Sequence, residues 1–586
     1  MRCIVLHHLT IVVVLLGRCQ WHFSHSFVIC QPRKVAAATR VCDNGRVQPA
    51  VSTRRLNRGQ GRTSSYEGYF SRVYANGNNG NGESATAPTS VKVGIIGAGS
   101  IAFGTASLVA MHGHHPILWS PSGAGTAELR MDKNNGAEES EIQSTGALIH
   151  DFPVQIARSA RELVQLSDGV LVVALPANGH GKVMEELAPE IAQFIVDLQY
   201  PNHQKLQQEV KKDAMMHIII SSHASLGAVY FIKLLQDERH KHMQSRGFNV
   251  KEDGTENIGV KITAWGTTAI TARKTSGTTV NVLTVRQAVD FCTVPSNNDD
   301  DLPPFQQQQF TMNMISSMTK QELLSDGYSL CTALFGQRFN RRKGGLLAIS
   351  LSNLNAQNHL GIVLGNMSRM DPPPPPIPIS GMDDTKGVGS DKTAATTATT
   401  TTTPEPWYQG KNITPLVGRL MEALDRERLD IANALDIQVR TIFEHYSWSF
   451  HVPMETDNLS ENNEEGKTRS LTISEMNQQM HYYLGNDVLG PTSPDSRYVL
   501  EDVPYGLVLT VILGRLVGRP AILHESGINI LSAMYGRDFM VENEMLSGLG
   551  LLEGEGGDIP SLEKWREMAF LGYFREEEVV EHSSVV

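Results

Sequence analysis

A strand that runs directly into a glycine turn constrains a fold more than any bulk property, and Val91–Gly104 (VKVGIIGAGSIAFG) is such a stretch. Val91, Val93, Ile95 and Ile96 make a short apolar run of the kind that becomes a buried parallel strand. Gly97-Ala98-Gly99-Ser100-Ile101-Ala102 follows in the G-x-G-x-x-A spacing. In that spacing Gly97 supplies a tight turn, Gly99 lets the backbone approach a pyrophosphate, and Ala102 lets the next helix pack close to the strand. The helix, expected over Ile101–Met111, turns its N-terminal N–H groups toward the phosphates. A second strand, Pro116–Ser120, comes next. Strand, glycine turn, helix and strand in that order predict a dinucleotide-binding Rossmann unit, against the plainer reading of a glycine-rich turn in a ligand-free α/β domain.

An NAD-specific domain places Asp or Glu at the end of the second strand, where it binds the ribose 2′-hydroxyl. Here Ser120 stands in that position, with Ser122 close by and Arg130 a little beyond. With no carboxylate to repel a 2′-phosphate, the loop favours NADP mildly over NAD. Gly169–Leu175 is the next buried strand, and Pro176-Ala-Asn-Gly-His180 stands at its C-terminal end, where doubly wound sheets bind ligands. Pro176 is thereby a candidate cofactor contact. His180 either faces the nicotinamide or substrate, or sits at a helix start facing solvent. His217–Ser222, Val260–Ala264, Ala269–Arg273 and Thr279–Val285 read as further strands. Between two of them, Gly266-Thr267-Thr268 either offers hydroxyls to a substrate carboxylate or is simply turn chemistry.

From about Phe310 the strand runs give way to helical periodicity. Leu416, Leu420, Met421, Leu424, Ile431, Ala432 and Leu435 recur at helical spacing around a charged face at Asp425–Arg428, and Val508–Leu516 and Leu523–Met534 behave similarly. The expected fold class is an α/β doubly wound parallel sheet over 91–290, followed by an all-α domain over 310–565. Residues 294–309, 371–406 and 456–467 lack the apolar content to pack and are expected to be disordered surface insertions. Two stretches of the helical half stand out. One gathers Asn353, Asn355, Asn358 and His359 within apolar surroundings, and buried amides with a histidine often line a site. The other, Asp495–Leu507, sets Arg497 four residues before the pair Glu501-Asp502. By residue type alone, those two acids read as charges at a helix N-terminus.

The 586-residue chain has room for two ordinary domains plus extra segments, and its net charge of −11 argues against a general nucleic-acid binder. Four of its six cysteines, Cys3, Cys19, Cys30 and Cys42, lie near the N-terminus. Only Cys292 and Cys331 remain for the body, which gives neither a disulfide framework nor a structural zinc signal. The apolar core Leu9–Gly17 is too short to span a bilayer and reads as a signal-peptide segment, 1–26, with a possible cut before Phe27. Residues 27–75 carry many arginines opposed only by Asp43 and Glu67, a transit-peptide composition, and 76–90 is a flexible linker. A signal peptide followed by a transit-like segment resembles the two-part plastid leader of algae with secondary plastids. The alternatives are plain secretion or a cytosolic enzyme with a mispredicted start. No stable membrane anchor is expected in the mature chain.

The two halves together resemble the octopine/nopaline (opine) dehydrogenase family. The resemblance is carried by VGIIGAGSIA, the Asn355–His359 segment, LDRERLDIANALDI at 424–437 and, above all, RYVLEDVPYGL at 497–507. It implies a Rossmann domain followed by an all-helical domain with the active site between them. The implied reaction joins an amino acid to a 2-oxo acid and reduces the imine with NAD(P)H. Carried over residue by residue, the resemblance makes His359 the catalytic acid and base, a role suited to an unperturbed pKa of about 6.5. Asp502 would orient that histidine, Arg497 would grip a substrate carboxylate, and Thr268 would contact substrate near the nicotinamide. The segment NHLGIVLGN departs from the family in lacking a proline just after the histidine. The other readings are a glycerol-3-phosphate or 2-hydroxy-acid dehydrogenase of the same two-domain plan, for which Lys261 and Lys274 offer no convincing polar motif, and a non-catalytic NADP-binding protein.

Overall fold

The first element of the described residues is a strand, β1 (Lys92–Ile96), whose last four residues are buried, as expected of a strand covered on both faces. The computed structural model describes residues 90–131, 139–200, 215–248, 258–296, 315, 317–370, 406–457, 468–485, 487–552 and 560–574, all within one compact unit. The expected signal peptide, the transit-like segment and nearly all of the linker lie outside the described residues, as do most of the expected insertions. The remaining strands of the main sheet are β2 (His115–Trp119), β3 (Ser140–Gly146), β4 (His150–Ile156), β5 (Val170–Val173), β6 (Met216–Ile220), β7 (Val260–Trp265), β8 (Ile270–Lys274), β9 (Thr279–Val285), β10 (Val289–Val294) and β11 (Phe339–Arg341). Their order is β11-β10-β7-β6-β5-β1-β2-β4-β3-β9-β8.

From β7 to β4 every neighbouring pair is parallel. The strand order reverses at β1, which lies between β2 and β5, and the glycine turn leaves the sheet at that switch point. The helix α1 (Ser100–Met111) follows it, and a second helix α2 (His180–Gln199) follows β5. Strands β3 and β4 were not expected. Along β3 the inward positions fall on Ser140, Ile142 and Ser144, so its alternation of burial has no matching alternation of hydrophobicity. The hairpin of β8 and β9 closes this edge and lies against α1.

Helical residues begin before the helical half does. Helix α3 (Gly327–Phe335) packs on α1 and β7, and β11 pairs with β10. Residues 327–341 thus complete the sheet half, although the sequence reading ended that half at 290 and started the helical one at 310. The helical half contributes α4 (Gly345–Leu351), α5 (Leu354–Met370), α6 (Pro415–Ala434), α7 (Ile442–Phe450), α8 (Arg497–Leu500), α9 (Val508–Leu516) and α10 (Ile522–Tyr535). Helix α6 starts where Thr414 accepts the Val417 N–H and Pro415 occupies the first turn, a combination that satisfies one orphan donor and removes another.

Two expectations for α6 are corrected. Leu416 was placed on its apolar stripe but is 72% exposed. Asp425 and Arg428, read as part of a solvated charged face, are both buried and paired at 2.6 Å. They are tolerated there because Arg428 also donates to the carbonyls of Leu351 and Arg440, leaving little of the guanidinium unsatisfied. Nearby, β12 (Glu455–Asp457) and β13 (Thr468–Ser470) form an antiparallel hairpin. The acidic stretch expected over 456–467 therefore begins within a strand, and 458–467 lie outside the described residues. One apolar cluster runs from Ile218 and Ile262 in the sheet through Leu346 and Leu360 to Val503 and Leu509, so the two halves share a core. No helix among the described residues is long and apolar enough to cross a membrane.

Candidate active site

Two i,i+4 pairs in the segment 497–502 build the site's chemistry. On a helical turn, residues four apart share a face. Tyr498 and Asp502 share one such face and both meet His359 on α5. The Asp502 carboxylate accepts from His359 Nδ1 at 2.6 Å, and the Tyr498 ring stacks on the imidazole with centroids 3.5 Å apart and planes 11° from parallel. Because a carboxylate only accepts, Nδ1 carries the proton and Nε2 is the nitrogen left for substrate. Gln409, which precedes α6, donates to the Tyr498 hydroxyl and fixes the ring from behind.

The second pair is Arg497 and Glu501, 3.6 Å apart. The Arg497 side chain is 57% exposed, which leaves its guanidinium accessible beside the dyad. Glu501 reaches the other half of the molecule, where one oxygen accepts the N–H of Ala177 at 2.9 Å. Ala177 follows Pro176, which is exposed at the C-terminal end of β5. The acids expected to decorate a helix N-terminus thus do two other things: one orients the histidine and one ties the helical half to the strand end.

A π-helical turn, Val503–Leu507, follows and brings Gly506 against α5. A Cβ at Gly506 would lie 2.2 Å from the Ala356 Cβ, so only glycine lets this segment approach the helix that carries His359.

Burial first, and the Asp502 charge second, push the Glu501 carboxyl up to about 7. A carboxyl whose folded pKa lies above its unfolded value near 4.5 holds its proton more tightly in the folded protein. Its favourable contribution is complete below the unfolded value and is lost as the pH rises to about 7. Glu501→Gln is therefore expected to flatten the fall in stability between about pH 5 and 7 in denaturant titrations. An unchanged pH slope in the variant would remove Glu501 as the titrating group.

The dinucleotide turn has the geometry its spacing implies. Gly97 adopts φ +128°, and a Cβ there would lie 2.7 Å from the Ala174 carbonyl oxygen. Gly99 is exposed, a Cβ on it would meet nothing within 4 Å, and Ala102 is fully buried under α1. Space for a phosphate thus lies in front of the α1 N-terminus. At the end of β2, Ser120 is buried with its hydroxyl 3.4 Å from that of Ser122, and Arg130 donates to the Ala157 carbonyl. Lys274, at the end of β8, spans the site: its ammonium donates to the carbonyls of Gly125 (2.8 Å) and Ala98 (3.3 Å) and lies 4.0 Å over the Phe103 ring. Burial lowers its pKa. Sequence reading weighed Lys274 only as a catalyst; its place beside both cofactor loops depends on the β8–β9 hairpin folding back over α1.

Two other expected residues are placed differently. His180 is fully buried, with Nε2 on the Leu175 carbonyl at 3.0 Å, and burial lowers its pKa to about 4. It is a neutral interior imidazole shut off from solvent, and its Nδ1 is buried without a hydrogen-bond partner. Thr268 spends its hydroxyl on the Ile270 carbonyl at 2.7 Å, so it acts in turn geometry. The hydroxyl of its neighbour Thr267 is buried without a partner.

The chain is similar to known proteins in sequence and in fold. Residues 342–535 match the family model described as NAD/NADP octopine/nopaline dehydrogenase, alpha-helical domain. An opine dehydrogenase of Arthrobacter sp. (strain 1C) is 25% identical over 418 residues, covering 70% of this chain and 85% of that protein. Among solved structures, octopine dehydrogenase in complex with NADH and agmatine is similar in fold, with a TM-score of 0.51 at 14% identity, covering 83% of this chain and all of that one.

Proposed function

We propose that this chain, an NAD(P)-dependent dehydrogenase whose helical half matches the octopine/nopaline dehydrogenase family model, is of the opine type: it condenses an amino acid with a 2-oxo acid and reduces the product with NADPH. The observation that carries this reading is the His359–Asp502 pair held under Tyr498, beside Arg497 and beside Glu501, the residue bonded to the end of β5. Attack of the amino nitrogen on the 2-oxo carbon gives a carbinolamine, whose hydroxyl leaves as water once protonated. His359 in its imidazolium form gives that proton from Nε2, and Asp502 stabilises the charge on the ring. The bound nicotinamide supplies the hydride that reduces the imine. In the reverse direction His359 takes the proton back. Arg497 holds a substrate carboxylate so that the reacting carbon stays at the histidine.

The cofactor loops support NADPH. Ser120 and Ser122 offer hydroxyls where an NAD-specific site would carry a carboxylate, and Arg130 and Lys274 add positive charge on either side. Ser120→Asp is expected to weaken NADPH binding about tenfold or more while leaving NADH binding close to wild type. Equal effects on both cofactors would remove Ser120 from 2′-phosphate recognition.

The reaction is tested by following nicotinamide absorbance with NADPH and NADH against pooled 2-oxo acids, with and without pooled amino acids. Oxidation that needs both pools is the expected result. Oxidation with the oxo acids alone would mean a hydroxy-acid dehydrogenase instead.

A further inference from the structure

Among the described residues, Arg342, Arg428 and Arg440 are answered by buried carboxylates. Asp290 on β10 accepts from Arg342 and Arg440, and Asp425 accepts from Arg428. Glu444 lies within electrostatic reach of Arg440. Arg286, immediately after β9, has no such partner. Its backbone N–H is bonded to the Ala269 carbonyl at 2.9 Å, so it stands where the Gly266–Thr268 loop enters β8. The residue is 5% exposed, and its Nε and Nη1 are buried with no hydrogen-bond partner. The charge that acts on it most is the repulsive one of Arg440, and burial together with that repulsion lowers its pKa to about 9.

An uncompensated guanidinium costs several kcal/mol to bury, so the fold keeps it at the expense of stability. The hydroxyl oxygens of Thr267 and Thr271 on the same strand end, and of Ser449 on the facing helix α7, are also buried without partners. His445 on α7 lies within electrostatic reach of both Arg286 and His359. Burial and the surrounding cations hold the His445 ring neutral, so it adds no competing charge.

We propose that Arg286 is a substrate-carboxylate site, so that a product with two carboxylates is held by Arg286 at one carboxylate and by Arg497 at the other. The assignment rests on the condensation reading above, because that reaction brings two carboxylates to one histidine. It extends the reading by naming a second anchor in the sheet half, where the resemblance had pointed to Thr268.

The test compares wild type, Arg286→Met and Arg286→Lys. First, unfolding temperatures are measured in sodium acetate and sodium malonate against sodium chloride at matched ionic strength. The carboxylates should raise the unfolding temperature of wild type and not that of Arg286→Met. In chloride, Arg286→Met should be at least as stable as wild type, because it removes a buried charge that nothing answers. Arg286→Lys should keep a reduced response. Second, in the condensation assay KM for one of the two substrates should rise on the order of 100-fold in Arg286→Met, with NADPH affinity unchanged. An anion response equal to wild type in Arg286→Met, or a large loss of its stability in chloride, would overturn the assignment. If condensation is observed and both KM values survive the substitution, the site falls and the reaction stands. If no substrate pair turns over but carboxylate stabilisation depends on Arg286, the anion site stands and the condensation reading falls.

Discussion

His359→Asn is expected to lower kcat by roughly a thousandfold while leaving NADPH affinity unchanged, as measured by steady-state turnover alongside fluorescence titration of the cofactor. The size follows from what is removed. Asn matches part of the imidazole's shape and can still meet Asp502, but it cannot give or take a proton near neutral pH. Asp502→Asn should cost nearly as much for a different reason. An amide nitrogen facing Nδ1 would donate to it, placing the ring proton on Nε2 and presenting the substrate with the wrong tautomer. Tyr498→Phe keeps the stacked ring and loses only the bond from Gln409, so its effect should stay within a few-fold. The order of severity separates roles: a histidine that merely fills space would tolerate Asn, and Asp502→Asn would then be silent. Activity of His359→Asn within tenfold of wild type would refute the assignment.

How much of this could be read beforehand follows from the distance between partners. The glycine turn was legible because its three positions and the strand before it are contiguous, and local sterics dictate each one. The dyad was legible only through the family resemblance. By residue type Glu501 and Asp502 look like helix-terminal charges, and what redirects them is His359, 143 residues away, and Ala177, 324 residues away. The same limit explains Asp425 and Arg428. Helical periodicity assigns charged residues to the wet face, and only tertiary carbonyls supplied by Leu351 and Arg440 make burial tolerable. Lys274 and Arg286 were hidden for a related reason. Lys274 lies on the β8–β9 hairpin and Arg286 directly after it, and the placement of that hairpin over α1 and against α7 is a property of the assembled sheet edge. For His180 the solvent-facing alternative is the one that burial overturns: its place on α2 turns the ring inward, with Nε2 on the Leu175 carbonyl.

Asp290→Ala is expected to destabilise the protein by about 3–5 kcal/mol, the largest effect on stability foreseen for a residue outside the dyad. The carboxylate is fully buried on β10 and accepts from Arg342 Nε at 2.9 Å and from Arg440 Nε and Nη2 at 3.1 and 2.9 Å. Arg440 in turn stacks on Trp448 of α7, and its carbonyl accepts from Arg428. One carboxylate on the sheet therefore neutralises cations that belong to the helical half. Removing it leaves Arg440 buried and unpaired, next to an Arg286 that is unpaired already. Asp290→Asn should cost less, because the amide oxygen still accepts while the charge is lost. Pairing Asp290→Leu with Arg440→Met should recover much of the loss, since two apolar groups leave no stranded charge. Denaturant unfolding of the four proteins measures these differences as changes in midpoint at constant slope. A double variant no more stable than Asp290→Ala would mean that Arg440 contributes by packing on Trp448 and not through its charge. A loss below about 1 kcal/mol for Asp290→Ala would mean that water enters the junction and that the two halves are not held together by this pair.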